Sequence, residues 1–309
     1  MTATTEERYL GALIGLATGD AVGTTLEFAR PGQFEPIDDM TGGGPFRLKP
    51  GEWTDDTSMA LCLAESLVER GGFDAVDQMD RYLRWRDEGH LSATGTCFDI
   101  GMTVSSALDR FRSMRQPYCG SNSPMAAGNG SLMRLAPVPM RWPSDRATLT
   151  DYAARSSRAT HAAAEAIDAC CLYAVLIAGA LNGTPKETLL DPDYEPVVEL
   201  TATREFSASI RNIGRGSYRH REPPDIRGSG YVVHTLEAAL WALHRTDDFR
   251  SGVLKVVNLG EDADTTGAVY GQLAGALYGV GDIPQAWRAK LAMVDTIEKL
   301  ALALLADAE

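Results

Sequence analysis

The sequence predicts an all-α protein, and three observations support that fold class. Apolar side chains recur at helical spacing in one segment after another, and convincing alternation of the kind that marks β-strands is absent. Glycine and proline are concentrated between these periodic segments, where they mark loops. One predicted helix carries glycine at every fourth position, at Gly267, Gly271, Gly275 and Gly279. Each glycine costs a helix roughly 1 kcal/mol relative to alanine, so we expect another backbone to pack closely against a central helix here.

The elements follow in order along the chain. The first helix, predicted within 6–18, places Tyr9, Leu13 and Ile14 on one face, and a loop rich in glycine and proline covers 31–51. A second helix begins after Trp53 and extends through Val68. Further helices are predicted at 75–88, 98–114, 148–158, 160–182, 230–245, 249–258, 264–280 and 285–306. The polar segment 183–227 contains five prolines and is predicted to be a long surface excursion from a single domain spanning 1–309.

Composition and charge exclude several classes of partner. Hydrophobic residues make up 44% of the 309 residues and the formal net charge is −13, without a basic cluster. A surface this acidic repels nucleic-acid polymers and anionic membranes. The apolar run Leu172–Leu181 is too short to span a bilayer, and the N-terminal MTATTEERYL does not resemble a secretory signal. The five cysteines show no paired zinc spacing, so we predict reduced thiols in a cytoplasmic monomer.

Two acidic motifs, far apart in sequence, each stand just before a predicted helix. They are Trp53-Thr54-Asp55-Asp56-Thr57-Ser58-Met59 and Glu261-Asp262-Ala263-Asp264-Thr265-Thr266-Gly267. Taken singly, the first is best explained as a helix cap, and the second could also be only a cap. Together they would place four carboxylates in one small volume, where a divalent cation would relieve their repulsion. Carboxylate and hydroxyl ligands favour magnesium first, then manganese or calcium. Glu27 offers a fifth carboxylate, and this number of anionic oxygens matches two ions better than one.

The ordered set of motifs resembles the ADP-ribosylglycohydrolase family, which includes the dinitrogenase reductase-activating glycohydrolase and the ADP-ribosylhydrolases. The matching pieces are Gly11–Gly23, Trp53–Thr57, Gly128–Arg134, Thr160-His161 and Asp262–Gly267. The resemblance implies a compact orthogonal multi-helix bundle with active-site loops at helix N-termini. It also implies a dinuclear Mg²⁺ centre and the removal of ADP-ribose from a modified protein side chain or a small conjugate. By position it assigns metal binding to Thr54, Asp55, Asp56, Asp262, Asp264 and Thr265, with Asp264 as a bridge, and makes Glu27 the glutamate of a mobile loop.

Candidate substrate-binding residues lie between the two acidic motifs. The Gly128-Asn129-Gly130-Ser131 turn, followed by Met133, is on its own an ordinary Asn-Gly turn, but its backbone N–H groups are also suited to a diphosphate. The resemblance points to the same loop. His161, predicted to open the 160–182 helix, either caps that helix or presents a neutral ring to substrate. Tyr231 either stacks on adenine or is the first buried residue of its helix.

The catalytic candidates are carboxylates. The resemblance makes Asp99 a contact for the distal ribose or the leaving group, whereas capping of the helix after it is the alternative. The hypothesis is hydrolysis at C1 of the distal ribose, with arginine as the first choice of acceptor. Asp55, Asp56 or Asp264 would accept the proton of the attacking water, and either Asp99 or Glu27 would assist departure of the acceptor. Two alternatives remain: a magnesium-dependent nucleotide pyrophosphohydrolase, and an ADP-ribose-binding or immunity protein that counters an ADP-ribosyltransferase.

Overall fold

A computed structural model describes residues 2–308, and within that range the secondary structure is helical, with isolated bridges but no strand. This confirms the all-α prediction. The α-helices are α1 Thr5–Gly23, α2 Asp55–Arg70, α3 Ala75–Glu88, α4 Met102–Met114, α5 Pro137–Arg141, α6 Arg146–Thr160, α7 Ala164–Leu181, α8 Lys186–Leu189, α9 Glu195–Thr203, α10 Ala208–Gly214, α11 Val232–Arg245, α12 Phe249–Val257, α13 Ala263–Tyr278, α14 Gln285–Arg288 and α15 Val294–Ala306.

Helices α1 and α13 form the centre of the fold as an antiparallel pair in backbone contact. A Cβ atom built on Gly271 would lie 2.0 Å from the carbonyl oxygen of Gly15, and one on Gly275 would lie 1.9 Å from that of Gly11. No side chain fits at such distances, which explains glycine at these positions despite its low helix propensity. The prediction of a central glycine-lined helix is therefore confirmed. Gly279 is the exception, because it follows the last residue of α13 with a φ of 81° and is not on the helix.

Helix α7 fills the core beside this pair, with every residue from Ala166 to Leu181 buried. By length and composition alone, α7 could cross a membrane. The apolar segment is therefore longer than the run Leu172–Leu181 considered above. However, 89% of the helix is buried inside the protein, as is typical of the core helix of a globular fold.

Some segments depart from the helix boundaries predicted above. The 183–227 segment is not simply an irregular excursion: it forms α8, α9 and α10, which pack on α7 through Val197, Ile210 and Ile213. The sequence did not predict these helices because their few apolar residues lie among many polar residues and prolines. The short helix α5 was missed, and the predicted 285–306 helix is divided into α14 and α15 by a turn in which Met293 has a φ of 53°.

The N-termini of α2, α4 and α13 converge on one side of the central pair. Thr54 precedes α2, Gly101 precedes α4 and Asp262 precedes α13, and residues from all three junctions line or adjoin one cavity. The positive ends of these helices therefore face the same volume, which suits the binding of anionic groups.

Candidate active site

Asp20 of α1 organises the first acidic motif. It is completely buried, and its carboxylate accepts hydrogen bonds from the backbone N–H groups of Thr54 (2.9 Å) and Thr57 (3.1 Å) and from both threonine hydroxyls, at 2.9 and 2.6 Å. The side chain of Thr54 consequently does not cap α2. Asp20 was not predicted as a site residue, although a lone carboxylate in the buried, glycine-rich helix of the first family motif is the signal that identifies it.

The two acidic motifs meet, as the metal-site hypothesis requires. Carboxylate oxygens of Asp20, Asp56 and Asp264 all lie within 4.8 Å of one another, although these residues come from α1, α2 and α13. Asp56 is completely buried and its Oδ1 atom has no hydrogen-bond partner. The Thr265 hydroxyl donates to the other Asp56 oxygen at 3.4 Å. Nor does Asp262 cap α13 with its side chain, so the capping alternative does not account for either motif.

A second cluster shares one member with the first. Carboxylate oxygens of Glu27, Asp99 and Asp264 also lie within 4.8 Å of one another. Glu27 is held in place by the backbone N–H of Ala263, which donates to its Oε2 atom at 3.0 Å. Asp264 belongs to both clusters, which is the position that a bridging ligand would occupy.

Burial and mutual repulsion shift the titration of this group strongly. Burial, followed by the charge of Asp264, raises the pKa of Asp20 to about 7 and that of Asp262 to about 7. Burial raises the pKa of Asp99 to about 10, with Asp55 the largest charge contribution, and burial followed by Asp264 raises the pKa of Glu27. The pKa values of Asp55 and Asp56 are likewise raised well above the usual range. A cluster of this kind is expensive unless cations neutralise it.

The donor set fits magnesium. It consists of carboxylate and hydroxyl oxygens, the ligands that hard divalent cations prefer, and no histidine or cysteine belongs to either described cluster. The buried Oδ1 atom of Asp56, which has no hydrogen-bond partner, is available as a ligand. Among the described residues, no lysine or arginine lines the cavity to neutralise these carboxylates.

A cavity of about 740 Å³ opens beside the clusters, within the size range of small-molecule sites. Eleven of the predicted site residues line it: Glu27, Asp55, Asp99, Gly128, Asn129, Gly130, Met133, His161, Asp262, Asp264 and Thr265. Thr54 and Asp56 lie outside the lining, beneath the pocket floor. Most of the predicted residues are therefore brought together around one volume.

The Gly128–Ser131 turn joins the metal side to the substrate side. Its Asn129 amide donates to Asp262 Oδ2 at 2.7 Å and to the Thr235 hydroxyl at 2.9 Å. A Cβ atom on Gly130 would lie 2.9 Å from Cε1 of His161, so glycine is needed there to admit the imidazole. Ser131 is not among the residues that line the cavity, and its Oγ atom lies 2.9 Å from that of Ser157. Its contact with substrate stays a prediction.

His161 is placed differently from the prediction, although its ring lines the cavity. It follows the last residue of α6, and α7 begins only at Ala164, so it does not open a helix at 160. Its Nδ1 atom lies 2.8 Å from the Thr160 hydroxyl, which in turn accepts from the buried Arg134 at 2.8 Å. Burial, with Arg134 nearby, lowers the pKa of His161 to about 3. The ring is neutral, but because of burial rather than because of a helix N-terminus.

Two further predictions need correction. The side chain of Tyr231 does not line the cavity: its hydroxyl donates to Glu165 Oε2 at 2.6 Å and its ring packs edge-on against His234. Asp99 does not start a helix, because α4 begins at Met102 after Gly101. With a φ of 60°, Asp99 instead projects from a loop toward Asp264, which removes capping as an explanation for it.

The fold and the site together define an all-α protein with a ligand-sized cavity beside a group of carboxylates from two helix starts, two loops and the interior of α1. Comparison with known proteins identifies the family. The family model described as ADP-ribosylglycohydrolase matches residues 1–309, and the chain belongs to this family. It is thereby a hydrolase of glycosidic bonds, as the sequence predicted.

Individual relatives agree with this assignment. Two proteins named ADP-ribosylarginine hydrolase Tri1 are similar over 96% of this chain: one from Serratia proteamaculans (strain 568), 42% identical over 78% of its own length, and one from Pseudomonas putida (strain GB-1), 46% identical over 77%. The ADP-ribosyl-(dinitrogen reductase) glycohydrolase of Rhodospirillum rubrum is 34% identical, covering 93% of this chain and 91% of its own. A solved structure described as an ADP-ribosylglycohydrolase-related protein complex superposes with a TM-score of 0.87 at 45% identity, covering 99% of each chain.

Proposed function

We propose that this protein is a Mg²⁺-dependent hydrolase that removes ADP-ribose from arginine side chains of proteins. The observation that carries the proposal is the pair of carboxylate clusters sharing Asp264 at the floor of a ligand-sized cavity. The arginine linkage is supported by the two relatives named as ADP-ribosylarginine hydrolases, which align with nearly the whole chain.

Two Mg²⁺ ions, one at each cluster, would be held by Thr54, Asp55, Asp56, Asp262, Asp264 and Thr265 with Glu27 at the pocket side. When bound, such ions supply charge neutralisation for the carboxylates and Lewis-acid polarisation of substrate and water oxygens. Mn²⁺, with similar ligand preferences, is expected to substitute. Asp56 is completely buried and outside the cavity lining, so we assign it to holding the cation rather than to proton transfer.

The chain's other residues would position ADP-ribose. Gly128 and Gly130 line the cavity, and as glycines they have no side chain that would obstruct a diphosphate at their backbone N–H groups. Met133 and the neutral His161 ring line the same wall, where an uncharged ring can hydrogen-bond or pack against a sugar. His161 is locked by Thr160 and Arg134, so it needs little reorganisation when substrate binds.

Hydrolysis breaks the bond between C1 of the distal ribose and a guanidino nitrogen, and water supplies the hydroxyl at C1. The departing nitrogen must gain one proton and the attacking water must lose one. Asp99 and Glu27 line the cavity and form a cluster with the shared Asp264, so we assign them the proton transfers. The one of the two that is ionised would also stabilise positive charge developing on the ribose and attract the cationic guanidino acceptor.

The test is to incubate the protein with arginine- and serine-ADP-ribosylated proteins, with Mg²⁺ and with a chelator, and to identify the released nucleotide. We expect intact ADP-ribose from the arginine conjugate, only with Mg²⁺, and none from an Asp264→Ala variant whose helical circular-dichroism signal is retained. Release of AMP would favour the pyrophosphohydrolase. Tight binding of ADP-ribose without any release would favour the binding or immunity protein.

A further inference from the structure

Two large apolar side chains at the mouth of the cavity are exposed to solvent. Phe28, next to Glu27, is 64% exposed, and Met102, the first residue of α4, is 87% exposed. Both line the cavity that contains Glu27 and Asp99. Solvent-exposed aromatic and methionine side chains grouped at a binding cavity are typical of surfaces that bind another molecule.

The backbone holds Phe28 in this exposed position at a conformational cost. Its φ is 60°, a left-handed conformation that bulky side chains rarely adopt. Its N–H donates to the carbonyl oxygen of Glu261 at 2.7 Å, and the Glu261 N–H donates to Ala29 at 2.8 Å. These bonds anchor the loop to the first residue of the second acidic motif, so the ring is held outward rather than free to fold into the core.

An aromatic cluster supports the same side of the mouth. The Phe28 ring meets the Phe46 ring edge-on, with centroids 6.2 Å apart, and Phe46 packs against Phe98 at 5.3 Å. Phe98 precedes Asp99 and lies four residues before Met102. The cluster therefore joins the Glu27 loop to the Asp99 loop. We call Phe28 and Met102, which line the cavity mouth, together with Phe46, which packs against Phe28, the apolar rim.

We propose that this apolar rim docks the polypeptide on either side of the modified arginine, and thereby makes the enzyme prefer ADP-ribosylated proteins over free ADP-ribosylarginine. This inference rests on the proposed function. The carboxylates of Glu27 and Asp99 face the cavity inside the rim, where they complement a cationic guanidino group. Met102 is 87% exposed, so its side chain extends beyond the part of the cavity that a small conjugate would fill. The rim would therefore contact the polypeptide to which the modified arginine belongs.

The experiment compares kcat/KM for an ADP-ribosylated protein with that for free ADP-ribosylarginine in wild type, Phe28→Ala, Met102→Ala and Met102→Leu. We expect the protein-to-small-substrate ratio to fall at least fivefold in both alanine variants, mainly through KM for the protein, and to be largely restored in Met102→Leu. Met114→Ala is the matched control, because Met114 is 53% exposed at the opposite end of the same helix. Its ratio should equal that of wild type.

A ratio within twofold of wild type in both alanine variants overturns the inference. So does an equal loss on both substrates, which would place the rim against the small conjugate itself. Sedimentation velocity tests whether the rim binds a second copy of this chain instead. A wild-type dimer that dissociates in the Met102→Ala variant would show this and would overturn the inference. Absence of ADP-ribose release from either substrate by wild type would instead refute the proposed function, so the two failures are distinguishable.

Discussion

Substituting alanine for Gly267 tests whether the contact between α1 and α13 sets the geometry of the carboxylate site. The new Cβ would lie 2.4 Å from the carbonyl oxygen of Gly19 and 2.9 Å from its carbonyl carbon. Both are backbone atoms, which cannot move away by changing rotamer. Gly19 immediately precedes Asp20, and Gly267 is three residues after Asp264, so forcing these helices apart separates two members of the first cluster.

The expected destabilisation follows from two opposing terms. Overpacking against a rigid neighbour typically costs about 1–3 kcal/mol, and the distance deficit of about 1 Å favours the upper end. Alanine recovers roughly 1 kcal/mol of helix propensity. The net loss should be about 2 kcal/mol, which corresponds to a fall in Tm of about 3 °C for a chain of this size. In addition, the Mg²⁺ concentration needed for half-maximal turnover should rise, because the cluster no longer closes.

Thermal unfolding followed by circular dichroism, together with a Mg²⁺ titration of activity, separates the two effects. Gly275→Ala makes the same kind of clash, 1.9 Å from the Gly11 carbonyl oxygen, but at the far end of the pair. It should lower Tm without changing the Mg²⁺ requirement. Gly72→Ala, with no atom within 4 Å of the new Cβ, should change neither. An unchanged or higher Tm for Gly267→Ala would refute the close-packing argument.

Three further predictions concern single side chains. Asp56→Asn removes one of several repelling buried charges, so without divalent cations it should raise the free energy of unfolding by about 1–3 kcal/mol. It should also abolish turnover and the rise in Tm that Mg²⁺ causes in wild type. A variant less stable than wild type would contradict the proposed repulsion among the carboxylates. Asp20→Asn should instead lower the free energy of unfolding, measured in urea, by about 1–3 kcal/mol. The reason is that an amide cannot accept all the hydrogen bonds from Thr54 and Thr57. Stability equal to wild type would refute this role of Asp20. Burial lowers the pKa of His161 from 6.5 to about 3, so the contribution of the neutral ring to the free energy of unfolding is complete above pH 6.5. As the pH falls toward 3, stability decreases by on the order of 4 kcal/mol, because the unfolded chain binds a proton that the folded protein does not. Wild type should therefore lose stability relative to His161→Gln between pH 7 and pH 4, and a constant difference would contradict the assignment.

Local sequence was sufficient where a signal is carried by neighbouring residues. Periodic apolar positions identified most of the helices, and the four-residue spacing of Gly267, Gly271 and Gly275 indicated a backbone-to-backbone contact before its partner was known. The acidic motifs and the ordered family pieces placed the carboxylates and identified the hydrolase class. These features depend on helix geometry and on residue chemistry, both of which are determined by residues close together in sequence.

Tertiary structure decided what depends on residues distant in sequence. The hydrogen bonds of Asp20 to a helix 34 residues later, the neutral state of His161 through burial beside Arg134, and the diversion of Tyr231 to Glu165 are all products of packing. The membership of Asp264 in both carboxylate clusters likewise requires three helices to meet at one point. Sequence spacing fixes which face of a helix a side chain occupies, but only the assembled fold decides what that face meets, and therefore which groups are buried, charged or free to bind.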